Sequence, residues 1–194
     1  MQQNQVYVGE SWTVENNGRT YRVTIEQDDT DDAPWERSEG MIDVDRVSHN
    51  YGAFIGPSKK PSEYVFHRGD RWRYSYVVDM PRAIEKALSE SWGVSKAVQS
   101  GVALAKGRPM TKREIALYAV NQNIEFMRGW CADEWTYVGV CVSLLDDEGE
   151  PTGEHDAALW GIESISGDYI NDSVIPELIA EIERSIDAKT FPVV

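Results

Sequence analysis

Two runs of carboxylates are the residues of this chain best suited to chemistry. Asp28, Asp29, Asp31, Asp32 and Glu36 fall within nine residues, and Asp146, Asp147, Glu148, Glu150, Glu154 and Asp156 within eleven. Hard divalent cations take several oxygens from a flexible turn, so either run could hold Ca²⁺ or Mg²⁺. With Arg128 added, such a site would suit a carboxylate-based, metal-dependent hydrolase or nuclease. Neither run fits an EF-hand loop, because the first lacks the central Gly and the second lacks the closing Glu. Solvated acidic loops, offered to water or to a partner, account for the same residues. On that reading no metal and no cofactor is expected.

Nucleophile and metal motifs are missing from the sequence. His49, His67 and His155 each stand apart from any Cys or His at ligand spacing, and no H-E-x-x-H, C-x-x-C, Walker A or G-x-S-x-G pattern occurs. Lys96, Lys106, Arg108, Lys112 and Arg113 surround two helical segments joined by Gly107-Arg108-Pro109-Met110. That outline matches a helix-turn-helix, in which Thr111, Lys112, Arg113 and Tyr118 would read bases. A net charge of −14 repels nucleic acid, however, and the second helix is apolar on more than one side. A packed helical pair is therefore the preferred reading, with a DNA-binding regulator as the weaker alternative.

The elements that must position these residues read as α+β. Val6–Val8 and Tyr21–Ile25 suggest strands around the turn at Glu15–Gly18, and Asp28–Gly40 a polar loop anchored by Trp35. Glu63–His67 and Trp72–Asp79 form a second strand pair about Arg68-Gly69-Asp70. Asp79 caps a helix with Pro81 in its first turn and a stripe of Ile84, Ala87, Leu88 and Trp92. A second helix is predicted over Ser95–Ala105. Thr111 and Glu114 form a capping box that opens a long, largely buried helix to about Arg128, ended by Gly129. The alternation from Trp135 to Leu144 is the strongest strand signal, with Ala157–Glu163 as its hairpin partner across an acidic loop from Asp146 to Asp156. The last helix, Ser173–Ile186, sets Glu177, Glu181 and Glu183 opposite its isoleucines. The expected fold is an antiparallel sheet packed against a central long helix, two shorter helices and a C-terminal helix. It forms one domain over residues 1–194, with 1–80 mainly β, 81–130 helical, and 131–194 a β-hairpin plus helix.

Charge divides the same chain differently. Residues 131–194 carry fifteen carboxylates against Arg184 and Lys189, net −13, whereas residues 81–130 carry eight cations against four Glu, net +4. Such asymmetry speaks to partners rather than to fold. The N-terminus lacks a signal-peptide layout and no run approaches the roughly 18 apolar residues of a membrane span, which points to the cytoplasm. Cys131 and Cys141 flank one extended strand, at about 3.3 Å per residue too far apart for a disulfide.

Three segments carry a resemblance: Asp29-Thr30-Asp31-Asp32-Ala33-Pro34-Trp35-Glu36, Phe126 to Val140 with its Arg128-Gly129-Trp130-Cys131-Ala132-Asp133-Glu134-Trp135 centre, and Leu159-Trp160-Gly161-Ile162-Glu163-Ser164 leading to Gly167-Asp168-Tyr169. Together they resemble a family of small proteins encoded by tailed bacteriophages and prophages, over about Tyr21 to Ile186. The resemblance implies expression in an infected bacterial cytoplasm and brings no activity with it.

From the residues themselves, Arg128, Asp133, Glu134, Glu163 and Asp168 are the candidates for lining a pocket at the helix–strand junction and hairpin end. Junction ion pairs and caps are the preferred reading of the same residues. The leading expectation is a non-enzymatic accessory protein that binds a host or phage protein through an acidic, aromatic-bearing surface formed by Asp28, Asp29, Asp31, Asp32, Trp35, Glu36, Asp146, Asp147, Glu148 and Glu150. One concrete form is an antagonist of a host defence or nucleic-acid-binding factor. No membrane partner is expected.

Overall fold

A computed structural model describes residues 4–29, 32–37, 41–48, 60–68, 74–94 and 110–190. The fold is α+β, with two antiparallel sheets among the described residues. Whereas the sequence reading treats the chain as one domain, its contacts group it into two compact units. The first joins Met1–Asp31 to Trp135–Val194, and the second is the stretch Asp32–Glu134 between them.

In the first unit, β1 (Ser11–Asn16) and β2 (Arg19–Gln27) form a hairpin, and β6 (Tyr137–Leu145) and β7 (Pro151–Glu163) another. Their order is β1-β2-β6-β7, so β2 and β6 are the inner strands. Alternation does the rest. Tyr21, Val23 and Ile25 of β2 and Val138, Val140 and Val142 of β6 are fully buried on one face. Covering them is a helical run that begins with one turn at Gly167–Tyr169, passes through a π turn at Ile170–Val174 and continues as a regular helix, Ile175–Thr190. Ile170, Val174, Ile175, Leu178, Ile179 and Ile182 from that run join the strand residues in one core cluster.

The second unit holds a three-stranded sheet ordered β3-β5-β4, from β3 (Asp45–Ser48), β4 (Glu63–His67) and β5 (Tyr74–Asp79). It also holds a short helix α1 (Pro34–Arg37), α2 (Met80–Ser89) and α3 (Lys112–Cys131). Asp79 accepts the Arg82 N–H as the N-cap of α2. Both halves of the Thr111–Glu114 capping box are present at the start of α3. Trp35, Tyr76 and Trp130 meet edge to face, with centroids 4.7 and 5.6 Å apart, and the Arg68 guanidinium lies 3.5 Å above the Trp130 ring.

Several boundaries differ from expectation. Val6–Val8 is not a strand; Val6 instead donates its N–H to the Ser164 carbonyl and the strand begins at Ser11. The polar loop at Asp28–Gly40 contains α1. β7 starts at Pro151, so Glu154 and Asp156 lie on a strand and the acidic loop shrinks to the turn before it. α3 runs past Gly129 to Cys131. It is buried along one face through Ala116, Val120, Ile124 and Met127, while Leu117 is 39% exposed. In α2, Ala83 and Ala87 are buried and Leu88 faces water. The helix expected over Ser95–Ala105 lies outside the described residues, as do His49, Gly69, Asp70 and Trp72. Among the described residues no helix is long and apolar enough to cross a membrane.

The capping box satisfies two otherwise orphaned donors at the start of the twenty-residue α3. Thr111→Ala is expected to lower stability by about 1 kcal/mol, read as a lower urea midpoint by circular dichroism.

Candidate functional site

The expected acidic surface falls partly into local structure. Asp28 and Asp29 belong to the first unit, Asp32 and Glu36 to the second, and Asp31 lies outside the described residues. Asp32 sits 3.6 Å from Arg37, and Glu36 accepts the Ala33 N–H at 3.0 Å, closing the first turn of α1. Trp35 belongs to the aromatic cluster of the second unit. At the other run, the Asp146 carboxylate accepts the backbone N–H groups of Glu148 and Glu150 at 3.1 and 2.8 Å, which shapes the β6–β7 turn. Asp147 and Glu148 are exposed there, and Glu150 stands 4.0 Å from Arg22. Among the described residues no group of three or more His, Cys, Asp or Glu is arranged to hold a metal ion.

The five pocket candidates also separate between the units. Arg128 pairs with Glu125 and Glu134, each at 2.9 Å, on the surface at the end of α3. Asp133 has a left-handed backbone, φ 55°. Its N–H bonds to the Trp130 carbonyl and that of Glu134 to the Gly129 carbonyl, the two bonds of a Schellman helix stop. Asp133 thus occupies the position that glycine usually takes. In the first unit, Asp168 accepts from the Asn4 amide at 3.1 Å, and Glu163 accepts from the Ser166 hydroxyl at 3.5 Å.

What sequence reasoning missed is a polar cluster at the edge of the first unit's core. Glu183 is half-buried rather than on the solvent face expected for it, and it lines a groove between the β1–β2 hairpin and the last helix. One of its oxygens accepts from the Tyr21 hydroxyl and the other from the Arg19 guanidinium. Burial first, and then the Glu183 carboxylate, push the Tyr21 phenol up to about 12. Two signals pointed here. Tyr21 occupies an inward position of its strand, and a buried hydroxyl needs a partner. Glu183 is four residues after Ile179, on the edge of the apolar stripe rather than opposite it.

The opposite face of the same sheet points away from the last helix. It presents Arg22, Thr24 and Glu26 from β2, Gly139, Cys141 and Ser143 from β6, and Asp156, Ala158 and Trp160 from β7. Pairing between β6 and β7 shifts register twice, between Ser143 and Leu145 and between Val138 and Val140; at the second place Trp160 and Gly161 together stand opposite Gly139. Gly161 has φ 81°, a conformation open mainly to glycine. This bulge lays the Trp160 indole flat over Gly139, where an added Cβ would come within 2.4 Å of the ring. Trp160 remains 49% exposed. Glu26 pairs with Gly139 on the adjacent strand. Burial, Glu26 and Asp156 together push the neighbouring Cys141 thiol up to about 11, so it stays protonated. Cys131 is likewise a free thiol, buried in the second unit.

Charge follows the units more sharply than it follows the sequence. The first unit holds nineteen carboxylates against Arg19, Arg22, Arg184 and Lys189, net −15, and the second is close to neutral at +1. The three arginines have partners within the unit: Arg19 on Glu183, Arg22 on the Gly149 carbonyl and Arg184 on the Ala180 carbonyl.

Two outcomes test this assignment. Replacing Asp133 by Gly relieves the left-handed strain and is expected to raise stability by about 0.5–1 kcal/mol in urea; a loss would contradict the helix-stop role. Folding favours the neutral Tyr21 phenol, since its pKa rises from 10.0 to about 12. Its contribution is therefore complete below pH 10 and is lost as pH climbs through 12. Thermal melts across that window should fall less steeply for Tyr21→Phe than for the wild type. Comparison with protein-family models, curated proteins and solved structures yields no match for the chain.

Proposed function

We propose that the protein acts by binding a partner protein rather than by catalysing a reaction, and that the acidic first unit provides the surface. The observation that carries this reading is a net −15 concentrated in one unit, with a half-exposed Trp160 fixed on the sheet face that points away from the last helix. Excess charge steers a basic partner and speeds encounter. A rigid tryptophan supplies the desolvated anchor that charge alone lacks, because interface energy concentrates on a few large aromatic or Arg residues. Asp147 and Glu148 at the exposed β6–β7 turn extend the acidic field.

The resemblance to tailed-bacteriophage proteins supports a host or phage protein as that partner. In its most concrete form the acidic unit occupies a basic groove that otherwise holds phosphate, antagonising a host nucleic-acid-binding defence factor. The test immobilises wild type, Trp160→Ala and a turn variant neutralised at Asp146, Asp147, Glu148 and Glu150, and exposes them to bacterial lysate. A basic protein should be retained at low ionic strength and released at roughly 1 M salt, where the Debye length is about 3 Å. Trp160→Ala is expected to weaken retention at least tenfold, corresponding to about 1.4 kcal/mol. Retention indifferent to both salt and Trp160 would sink the proposal.

A further inference from the structure

One helix cannot cover four strands. Neighbouring strands lie about 4.8 Å apart, and a helix with its side chains is about 10 Å across, so a single helix spans roughly half of such a face. The last helix, α4 (Ile175–Thr190), packs mainly on β7 and β6. On the β1 side of the same face lies a groove of about 480 Å³, lined by five apolar residues, Val14, Ile175, Pro176, Ile179 and Ala180, and by as many polar ones, Glu183 among them. Trp12 and Val14 of β1 are directed towards the core face, pack against its cluster and stay only partly buried. The groove thus has the position of a missing second helix, with apolar lining residues that such a helix would need.

We propose that this groove receives an amphipathic helix of the partner protein, with apolar residues at i, i+4 and i+7 seated between β1 and α4 and basic residues along its exposed flanks. The volume suits the side chains of one apolar stripe, leaving the incoming backbone outside. Fixed walls favour such docking. Glu183 is tied to Arg19 and Tyr21, so this wall is set before any ligand arrives. Asn171, on the π turn at the groove's end, is held by its amide on the Gly167 carbonyl at 2.9 Å. The basic flanks follow from the unit's net −15, and this part of the argument rests on the acidic-unit reading given above. A second copy of the chain is the wrong occupant, because it would bring −15 against −15.

Three synthetic 14-residue peptides of equal positive charge test the idea on the full chain. One carries Leu and Lys at helical spacing, one alternates Leu and Lys as a strand would, and one replaces every Leu with Ser. Ala180 lies exposed on α4 at the groove, so Ala180→Trp fills the space without entering the core; Ala180→Leu serves the same purpose if the larger residue impairs folding. The helical peptide is expected to bind wild type at least tenfold more tightly than the Ser peptide, to lose at least tenfold affinity for the filled variant, and to ignore Trp160→Ala. Tighter binding of the alternating peptide, or concentration-dependent dimerisation by light scattering, would overturn the proposal. If all three peptides bind equally and Ala180→Trp changes nothing, the groove assignment fails while the acidic-unit reading stands. If none binds at low salt, both fall.

Discussion

The structure of the first unit depends on the sealing of one sheet face by a single helix. β2 and β6 bring six fully buried residues to that face, and the isoleucines and Leu178 of α4 meet them. Burial of this kind is worth about 25 cal/mol per Å² of apolar surface and is the main favourable term in folding. The arrangement accounts for the polar features around it. Tyr21 is the one of those six with a hydroxyl, and Glu183 reaches it from the helix while Arg19 answers Glu183. The same geometry leaves β1 half covered, because the helix that buries the inner strands has no width left for the outer one.

Charge is distributed in a way that this core tolerates rather than requires. Many of the carboxylates sit at turn, edge-strand and helix-surface positions, and the arginines of the unit are engaged by oxygens of the unit itself. Self-repulsion of this magnitude weakens a compact state. Asp147, Glu148, Glu154 and Glu181 are all exposed. A cationic partner would relieve that repulsion as it bound, so affinity and stability would rise together. The near-neutral second unit has no such excess: Asp43, held below the usual carboxylate range first by the Lys86 hydrogen bond, answers both Lys86 and Arg82.

Much of the fold was legible because strong periodicities and caps dominated locally. Alternation from Tyr137 to Leu144 and the Thr111–Glu114 box both specify their elements within a few residues. The helix stop was misplaced because Gly129 looks like a terminator, whereas the chain turns at Asp133 using a Schellman pair that an aspartate can also satisfy. The N-terminal strand was misplaced because Val6–Val8 is apolar but short, and its backbone bonds to Ser164 across the sequence rather than in a ladder. The site was less readable than the fold. Carboxylate density marks Asp28–Asp32 and Asp146–Glu150, yet Asp146 and Glu36 close turns through backbone N–H groups, a role that density cannot reveal. Glu183 and Trp160 gain their meaning from Arg19 and Gly139, partners far away in sequence.

The Trp160 bulge also constrains how any partner can approach. β7 is an edge strand thirteen residues long, and a flat edge of that length invites pairing with another chain. Here it is interrupted by the register shift at Trp160–Gly161, begins with a proline and carries Glu154 and Asp156. Those features discourage strand addition along β7 while tilting an aromatic ring onto the face that points away from α4. On the proposed reading a partner would meet side chains rather than backbone: indole and carboxylates on one face, and the apolar groove beside α4 on the other. Two contacts on opposite faces of one sheet cannot be made by a single small helix, so a partner that used both would have to wrap the β1 or β7 edge. β1 is the shorter barrier, at six residues, and the groove opens beside it, so β1 is the edge around which such a partner would pass.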